Sequence, residues 1–226
     1  MSIVDLSLLQ QLVLVLAALV LFTSFVLLEQ TRLVAAIHAF AWQGALVAAV
    51  TTVVAASSQG GGHLYFSALL TLVLKALVIP WMLHRLVHRL ALDRHTDSLR
   101  RPALVTMAGV ALVIFSYWLV LPIVEQELSF TRNIVAISLA VVLLGLLMMV
   151  ARRQAVVQVL GFMSMENGLF LSAVSSTGGM PLVVELGVAF DVLVAMVLFG
   201  VFFFQIRESI ETLDVDRLNR LTEARE

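Results

Sequence analysis

Residues 159–174 read VLGFMSMENGLFLSAV. Nearly every side chain in this stretch is apolar, yet Glu166 and Asn167 stand side by side at its centre. A hydrocarbon core of about 30 Å needs roughly 20 apolar residues in α-helix. Lipid satisfies no backbone group, so a run of this kind crosses as a helix and not as an open strand. Whether it crosses decides both the fold and what an acid at its middle is for.

The rest of the chain answers the first half. Of 226 residues, 61% are hydrophobic and 13% charged, with a mean hydropathy of +1.04. Soluble domains hold about 45–50% apolar and about 25% charged residues, so the composition is that of a polytopic membrane protein. Seven runs are long enough to span: 7–28, 33–56, 64–84, 103–122, 133–151, 155–175 and 181–206. The expected fold is all-α, a polytopic integral membrane bundle of seven transmembrane helices. Residues 1–32 lack the basic n-region of a signal peptide, and their apolar core is too long for an h-region. They read as a retained first transmembrane helix.

Loop charges predict the orientation through the positive-inside rule. Arg32, Arg85, Arg89, Arg94, Arg100, Arg101, Arg152, Arg153, Arg207, Arg217, Arg220 and Arg225 fall on one side, and only Arg132 on the other. The N-terminus is therefore expected outside and the C-terminus in the cytoplasm. On the outer side, SSQGGGH (57–63) and SSTGGMP (175–181) read as short turns between an entering and a returning helix. Lys75 follows the first turn and Asp191 the second at similar distances, a faint parallel repeat. HRLVHRLALDRHTDSLRR (84–101) reads as an amphipathic interfacial segment, and 207–226 changes abruptly to soluble composition.

Several function classes drop out. The net charge is −1 and no basic stripe is present, which argues against nucleic acid as a partner. The absence of cysteine removes disulfides, thiolate metal sites and Cys-ligated iron–sulfur clusters. Of the five His residues only His84 and His88 (HRLVH, 84–88) stand at HxxxH spacing, with no HxH pair, and no P-loop, GxGxxG, GxSxG or HExxH motif occurs. The chain is expected to hold no metal, cofactor or catalytic centre of its own.

Four ionisable residues nevertheless fall within predicted spans: Lys75, Glu166, Glu185 and Asp191. On insertion scales a charged residue at a helix centre costs about 2.5–3.5 kcal/mol, so each needs a partner, a wet cavity or a neutral form. At about 1.5 Å rise per residue, Lys75, Glu166 and Asp191 come to similar depth, with Glu185 nearer the outer interface. Desolvation favours the neutral forms of acid and amine alike, so such a layer can exchange protons. The plainer reading is a static polar pin between helices. His38, Gln43, Gln158 and Gln205 read mainly as cross-helix hydrogen-bonding groups, with His38 also a candidate relay. His84, His88 and His95 read as interfacial. Pro80 frees a carbonyl close to Lys75 and is a candidate kink.

These residues carry a resemblance. VLGFMSMENGLFLSAV (159–174), PLVVELGVAFDVLVAMVLFG (181–200), ETLDVDRLNRL (211–221) and LTLVLKALVIPWML (70–83) together resemble the component E subunit of hydrogenase-4. The last three predicted helices also resemble the NuoK subunit of complex I and its counterpart in Mrp cation antiporters, the Mrp C component. The resemblance implies a four-helix membrane region over 1–130, a NuoK-like three-helix region over 131–207 and a cytoplasmic tail over 208–226.

In the complex I family, one acid in the second NuoK helix and one in the third are implicated in proton transfer between subunits. Asp191 matches the third-helix acid. Gly161 and Asn167 match the second-helix pattern, but Met163 fills the acid position and Glu166 lies three residues on, about 4.5 Å along the axis.

The resemblance implies a place in the membrane arm of a group 4 nickel–iron hydrogenase in the bacterial cytoplasmic membrane. Partners would be antiporter-like subunits and the subunits that anchor the quinone or redox module. Nickel–iron and iron–sulfur clusters would reside in partner subunits, and this chain would contribute to proton or Na⁺ translocation. The alternatives are a purely structural or assembly subunit, or a stand-alone secondary transporter. A transporter would be expected to carry repeats and discontinuous helices, and no helix looks broken from the sequence.

Overall fold

The computed structural model describes residues 7–57, 62–89, 102–121 and 129–177, with 187, 189–197 and 200. Among these residues every extended regular element is a helix and no β-strand occurs. The elements are α1 (Leu8–Glu29), α2 (Leu33–Ser57), α3 (Gly62–Thr71), a π-helical segment (Leu72–Val78), α4 (Ile79–Arg89), α5 (Pro102–Val120), α6 (Ser129–Ala151) and α7 (Ala155–Thr177). The α3, π and α4 pieces form one continuous rod, so six helices among the described residues are long and apolar enough to cross a membrane. The described residues of the seventh predicted run are helical. The turns around 58–61 and 178–181, most of the segment 84–101, Glu185, Gln205 and the tail 208–226 lie outside the described residues.

Local chemistry starts and stops these helices. Ser7 and Gln10 make a reciprocal capping box at the head of α1: Gln10 N–H donates to Ser7 Oγ at 3.3 Å, and Ser7 N–H to Gln10 Oε1 at 3.1 Å. At its other end, orphan carbonyls meet Arg152, which follows α6. The Arg152 guanidinium donates to Leu28 O and Gln30 O, both at 2.9 Å, and the side chain is buried. A residue that reads in sequence as a loop charge is thus a buried cap. Nearby, Thr106 Oγ1 of α5 donates to Glu29 Oε1 at 3.0 Å. These contacts gather the ends of α1, α5 and α6 at one end of the bundle, the end to which Arg32, Arg152 and Arg153 belong.

The core forms two apolar clusters, one around Phe40, Ile79, Leu83, Leu144 and Leu160, the other around Val20, Val47, Ile134, Val141 and Leu171. Helices α6 and α7 make the closest contact. A Cβ on Gly145 would stand 2.7 Å from Gly161 O, and one on Gly161 would stand 3.0 Å from Gly145 O. In lipid no hydrophobic force drives helices together, so small residues that let backbones touch supply the packing. This crossing holds the Glu166 helix rigidly against α6. In contrast, α5 leaves Met107, Ile114, Phe115 and Trp118 exposed, a surface for acyl chains or neighbouring subunits.

One expectation changes. The third span is not an unbroken α-helix: residues 72–78 widen into a π turn, and Ile79 N–H donates to Leu74 O, five residues back. Pro80 supplies the reason, since it has no N–H and its ring crowds the carbonyl four residues earlier. The proline is read in sequence as a kink; its effect is a widened turn, with Lys75 at the turn's centre. Such turns inside α-helices are rare and often mark functional positions.

Candidate functional site: a buried charge trio

Lys75 is the chain's only lysine and is fully buried. It sits near the middle of its rod, and Glu166 lies midway along α7, about 16 Å from either end. Gly44 of α2 makes the lysine's position possible. A Cβ there would stand 2.8 Å from Lys75 Cβ and 3.2 Å from its backbone carbon. The α2 backbone therefore lies directly against the π turn, and the lysine side chain runs across to α7.

There Lys75 meets three groups. Its ammonium pairs with Glu166 Oε2, donates to Asn167 Oδ1 at 2.8 Å and lies 3.3 Å from Asp191 Oδ1. The Phe170 ring centroid is 5.4 Å away, a distance at which an aromatic face attracts a cation. Glu166, Asn167 and Asp191 are all buried. The three mid-span ionisable groups expected at one depth are in direct contact.

A second arm is purely amide and hydroxyl. Lysine has only donors, so Asn167 must present its oxygen to Lys75 and its nitrogen elsewhere. Asn167 Nδ2 donates to Gln43 Oε1 at 3.1 Å. Gln43 Nε2 then donates to Ser24 Oγ at 2.8 Å and Ser164 Oγ at 2.9 Å. Ser24 Oγ–H ends the chain on Val20 O at 2.9 Å. Every donor points away from the lysine, so the aligned dipoles reinforce one another and favour its positive charge. Amides do not readily gain or lose protons, which makes this arm a clamp. The acids form the exchangeable side.

On that side lies a cavity of about 410 Å³ lined by Phe162, Met165, Leu169, Phe170, Gly187 and Phe190, with Glu166 its charged wall. Glu166 Oε1 has no hydrogen-bond partner among the described residues. It lies towards Gly187, whose Cβ position would be 3.8 Å from it. The trio thus has one buried carboxylate oxygen without a hydrogen-bond partner among the described residues, on a side chain that helps line the apolar cavity.

The other sequence candidates separate from this site. His38 is exposed on α2 and stacks 6.3 Å from His84, making no contact with the trio. Gln158 Nε2 donates to Arg152 O at 3.0 Å, within the Arg-rich end. Met163, at the acid position of the NuoK pattern, is buried in the apolar core; Glu166, nearly one turn on, is the residue that reaches Lys75. Among the described residues no group of His, Asp or Glu is arranged to hold a metal ion. Sequence reading ranks Gln43 low and passes over Ser24 and Ser164 entirely. Their only signal is that polar side chains in spanning helices require partners.

No family model matches the chain, and no solved structure matches it. With the uncharacterized protein Rv0085 of Mycobacterium tuberculosis it is 34% identical over 188 residues, 83% of this chain and 85% of that protein. With hydrogenase-4 component E of Escherichia coli it is 26% identical over 149 residues, 66% of this chain and 69% of that one. The component E of Shigella flexneri matches to the same extent. The chain belongs to the same family of multi-pass membrane proteins as Rv0085 of Mycobacterium tuberculosis, with hydrogenase-4 component E as a distant homologue.

Proposed function

We propose that this chain is a membrane subunit of a complex I-like, group 4 nickel–iron hydrogenase assembly, and that its Lys75–Glu166–Asp191 trio takes part in redox-coupled proton translocation. The observation that carries the reading is the contact of one buried lysine with two buried acids at mid-span. The distant homology to a hydrogenase component supports the assembly. The likeness to NuoK and to the Mrp C component belongs to the same proposal, with Asp191 as the third-helix acid and Glu166 serving one turn from the expected second-helix position.

The charge count gives the chemistry. Fully ionised, the trio carries two negative charges and one positive; one proton on either carboxyl makes it neutral. With the proton on Glu166, the ammonium is left to Asp191. With the proton on Asp191, it is left to Glu166. Lys75, clamped by Asn167 but shared between two acids, therefore records which acid holds the proton. A charge arriving in a neighbouring subunit biases that choice, and moving one charge across the membrane corresponds to about 2.3 kcal/mol per 100 mV. Redox chemistry and its nickel–iron and iron–sulfur centres belong to partner subunits, and proton entry is on the cavity side through Glu166 Oε1. The Arg distribution supports a cytoplasmic C-terminus in a bacterial inner membrane.

The test is Glu166→Gln in the assembled complex, reconstituted in vesicles with a pH-sensitive dye. The reading expects electron transfer to continue while coupled acidification falls at least tenfold. A structural subunit instead gives less assembled complex, with normal pumping in whatever assembles.

A further inference from the structure

The seam between α2 and the third span is apolar on one side of the trio and polar on the other. Gly44 and Lys75 meet at its middle. Towards the Arg-rich end, Ile79 and Leu83 follow Lys75 along the rod, and Phe40 and Ile37 precede Gly44 on α2. All four are 1% exposed or less, so large apolar side chains close that half. Towards the opposite end the rod carries Thr71 and Ser67 at successive turns from Lys75. There α2 carries Ala48 and Thr51, at helical spacing from Gly44. These four are buried too, but they are small and three bear hydroxyls.

Thr71 Oγ1 and Ser67 Oγ have no hydrogen-bond partner, although Thr71 is wholly buried and Ser67 is 5% exposed. Other buried hydroxyls of the bundle turn to the carbonyl four residues back, Ser24 to Val20 O at 2.9 Å and Thr51 to Val47 O at 3.0 Å. Ser67 and Thr71 make no such bond. An unpaired buried hydroxyl is unfavourable, and buried water is what commonly pairs such groups in native proteins. Ser67 lies five residues, about 7.5 Å, from the start of α3. Thr71 is one turn further in and Lys75 one turn beyond it, so the two hydroxyls are stepping points from the helix end to the lysine.

We propose that this half of the seam is a water-accessible path, opening at the end of the bundle opposite the Arg-rich end and passing Ser67 and Thr71 to reach the trio at Lys75. It shares no lining residue with the cavity beside Glu166. Its use rests on the ion-translocation reading: the proton shared by Glu166 and Asp191 exchanges with water on this side. The Phe40–Ile79 half bars a route along the same seam from the Arg-rich side.

The chain has no cysteine, so single cysteines can be read without background. The full chain carrying Thr71→Cys, Ser67→Cys, Leu72→Cys or Arg153→Cys is exposed to Ag⁺ in spheroplasts and, separately, in inverted membrane vesicles. Thiols that escape silver are counted with a maleimide after unfolding. Leu72 is 37% exposed at the depth of Thr71, and Arg153 is exposed at the Arg-rich end. The thiolate is the reactive form and apolar surroundings disfavour it, so Thr71→Cys is expected to react at least about tenfold faster than Leu72→Cys. It should do so from the membrane face opposite to Arg153→Cys, with Ser67→Cys at least as fast from that same face. Equal rates at positions 71 and 72, or reaction at position 71 from the Arg153 side, overturn the path. If Thr71→Cys does not accumulate, a Ser67→Cys rate equal to that of Leu72→Cys overturns it as well. Silver labelling needs no turnover: reactive cysteines, together with normal pumping by Glu166→Gln in the assembled complex, would leave the path standing and remove the translocation reading.

Discussion

Lys75 Nζ lies 3.3 Å from Asp191 Oδ1 while the same ammonium pairs with Glu166 of α7. A single cation is thereby shared by two carboxylates on different helical segments, deep in a bundle whose composition is that of a membrane protein. Sharing makes the arrangement responsive: adding one proton changes which acid the lysine prefers. It also makes the arrangement vulnerable to removal of the lysine.

Lys75→Met leaves two buried acids without a cation. Breaking one side of a buried ion pair costs about 3–5 kcal/mol, and the expected result is a marked loss of thermal stability in detergent and of assembled complex. Adding Glu166→Gln should recover part of that loss. The coupling expected from a double-mutant cycle is about 0.5–3 kcal/mol. Strict additivity of the two melting shifts would show that the pair does not interact.

Gly44→Ala tests the close approach of α2. The new Cβ would stand 2.8 Å from Lys75 Cβ, and neither a backbone nor a first side-chain carbon can swing away. Overpacking of this kind costs about 1–3 kcal/mol. The melting temperature should fall, and the same displacement should weaken the Lys75–Glu166 coupling measured by the cycle. A variant with unchanged melting and coupling would mean that α2 does not seat the lysine.

Pro80→Ala restores an N–H four residues after Ala76 and so permits an ordinary α turn. Proline in a helix interior is about 3 kcal/mol less favourable than alanine, so the variant should melt no lower than the native chain. Its coupled proton movement should nevertheless fall, because an α turn rotates Lys75 relative to α7. Full coupling in a stable Pro80→Ala variant would remove any functional role for the π turn.

Asn167→Ala isolates the amide clamp. It takes one acceptor from Lys75 and leaves Gln43 Oε1 without its donor. Leaving a buried polar group unpaired costs about 1–3 kcal/mol. Stability should drop by that order, with slower coupled proton movement per electron transferred. A wild-type rate together with wild-type melting would place the amide arm outside the mechanism.

Six spans were legible because each is a run of about 20 apolar residues, and length alone separates them from other elements. The common depth of Lys75 and Glu166 was legible for a similar reason, since rise per residue is fixed once helix ends are known. Partner choice was not. Nothing local in the sequence says that Lys75 faces α7, because that depends on Gly44 letting two backbones touch. The π turn was hidden behind Pro80, which reads equally well as a simple kink. Arg152 was counted with loop charges because a cap on a distant helix leaves no mark at its own position. Ser24 and Ser164 are ordinary membrane-helix residues until Gln43 joins them.

Proton sharing within the trio is tested most directly by the number of protons moved per electron in the assembled complex carrying Asp191→Asn, compared with the native complex in the same vesicles. Asparagine keeps the shape and removes the second site for the shared proton. A shared proton predicts that electron transfer persists and the proton-to-electron ratio falls, with Glu166→Gln behaving alike. A native ratio in both variants, at native levels of assembly, would contradict it.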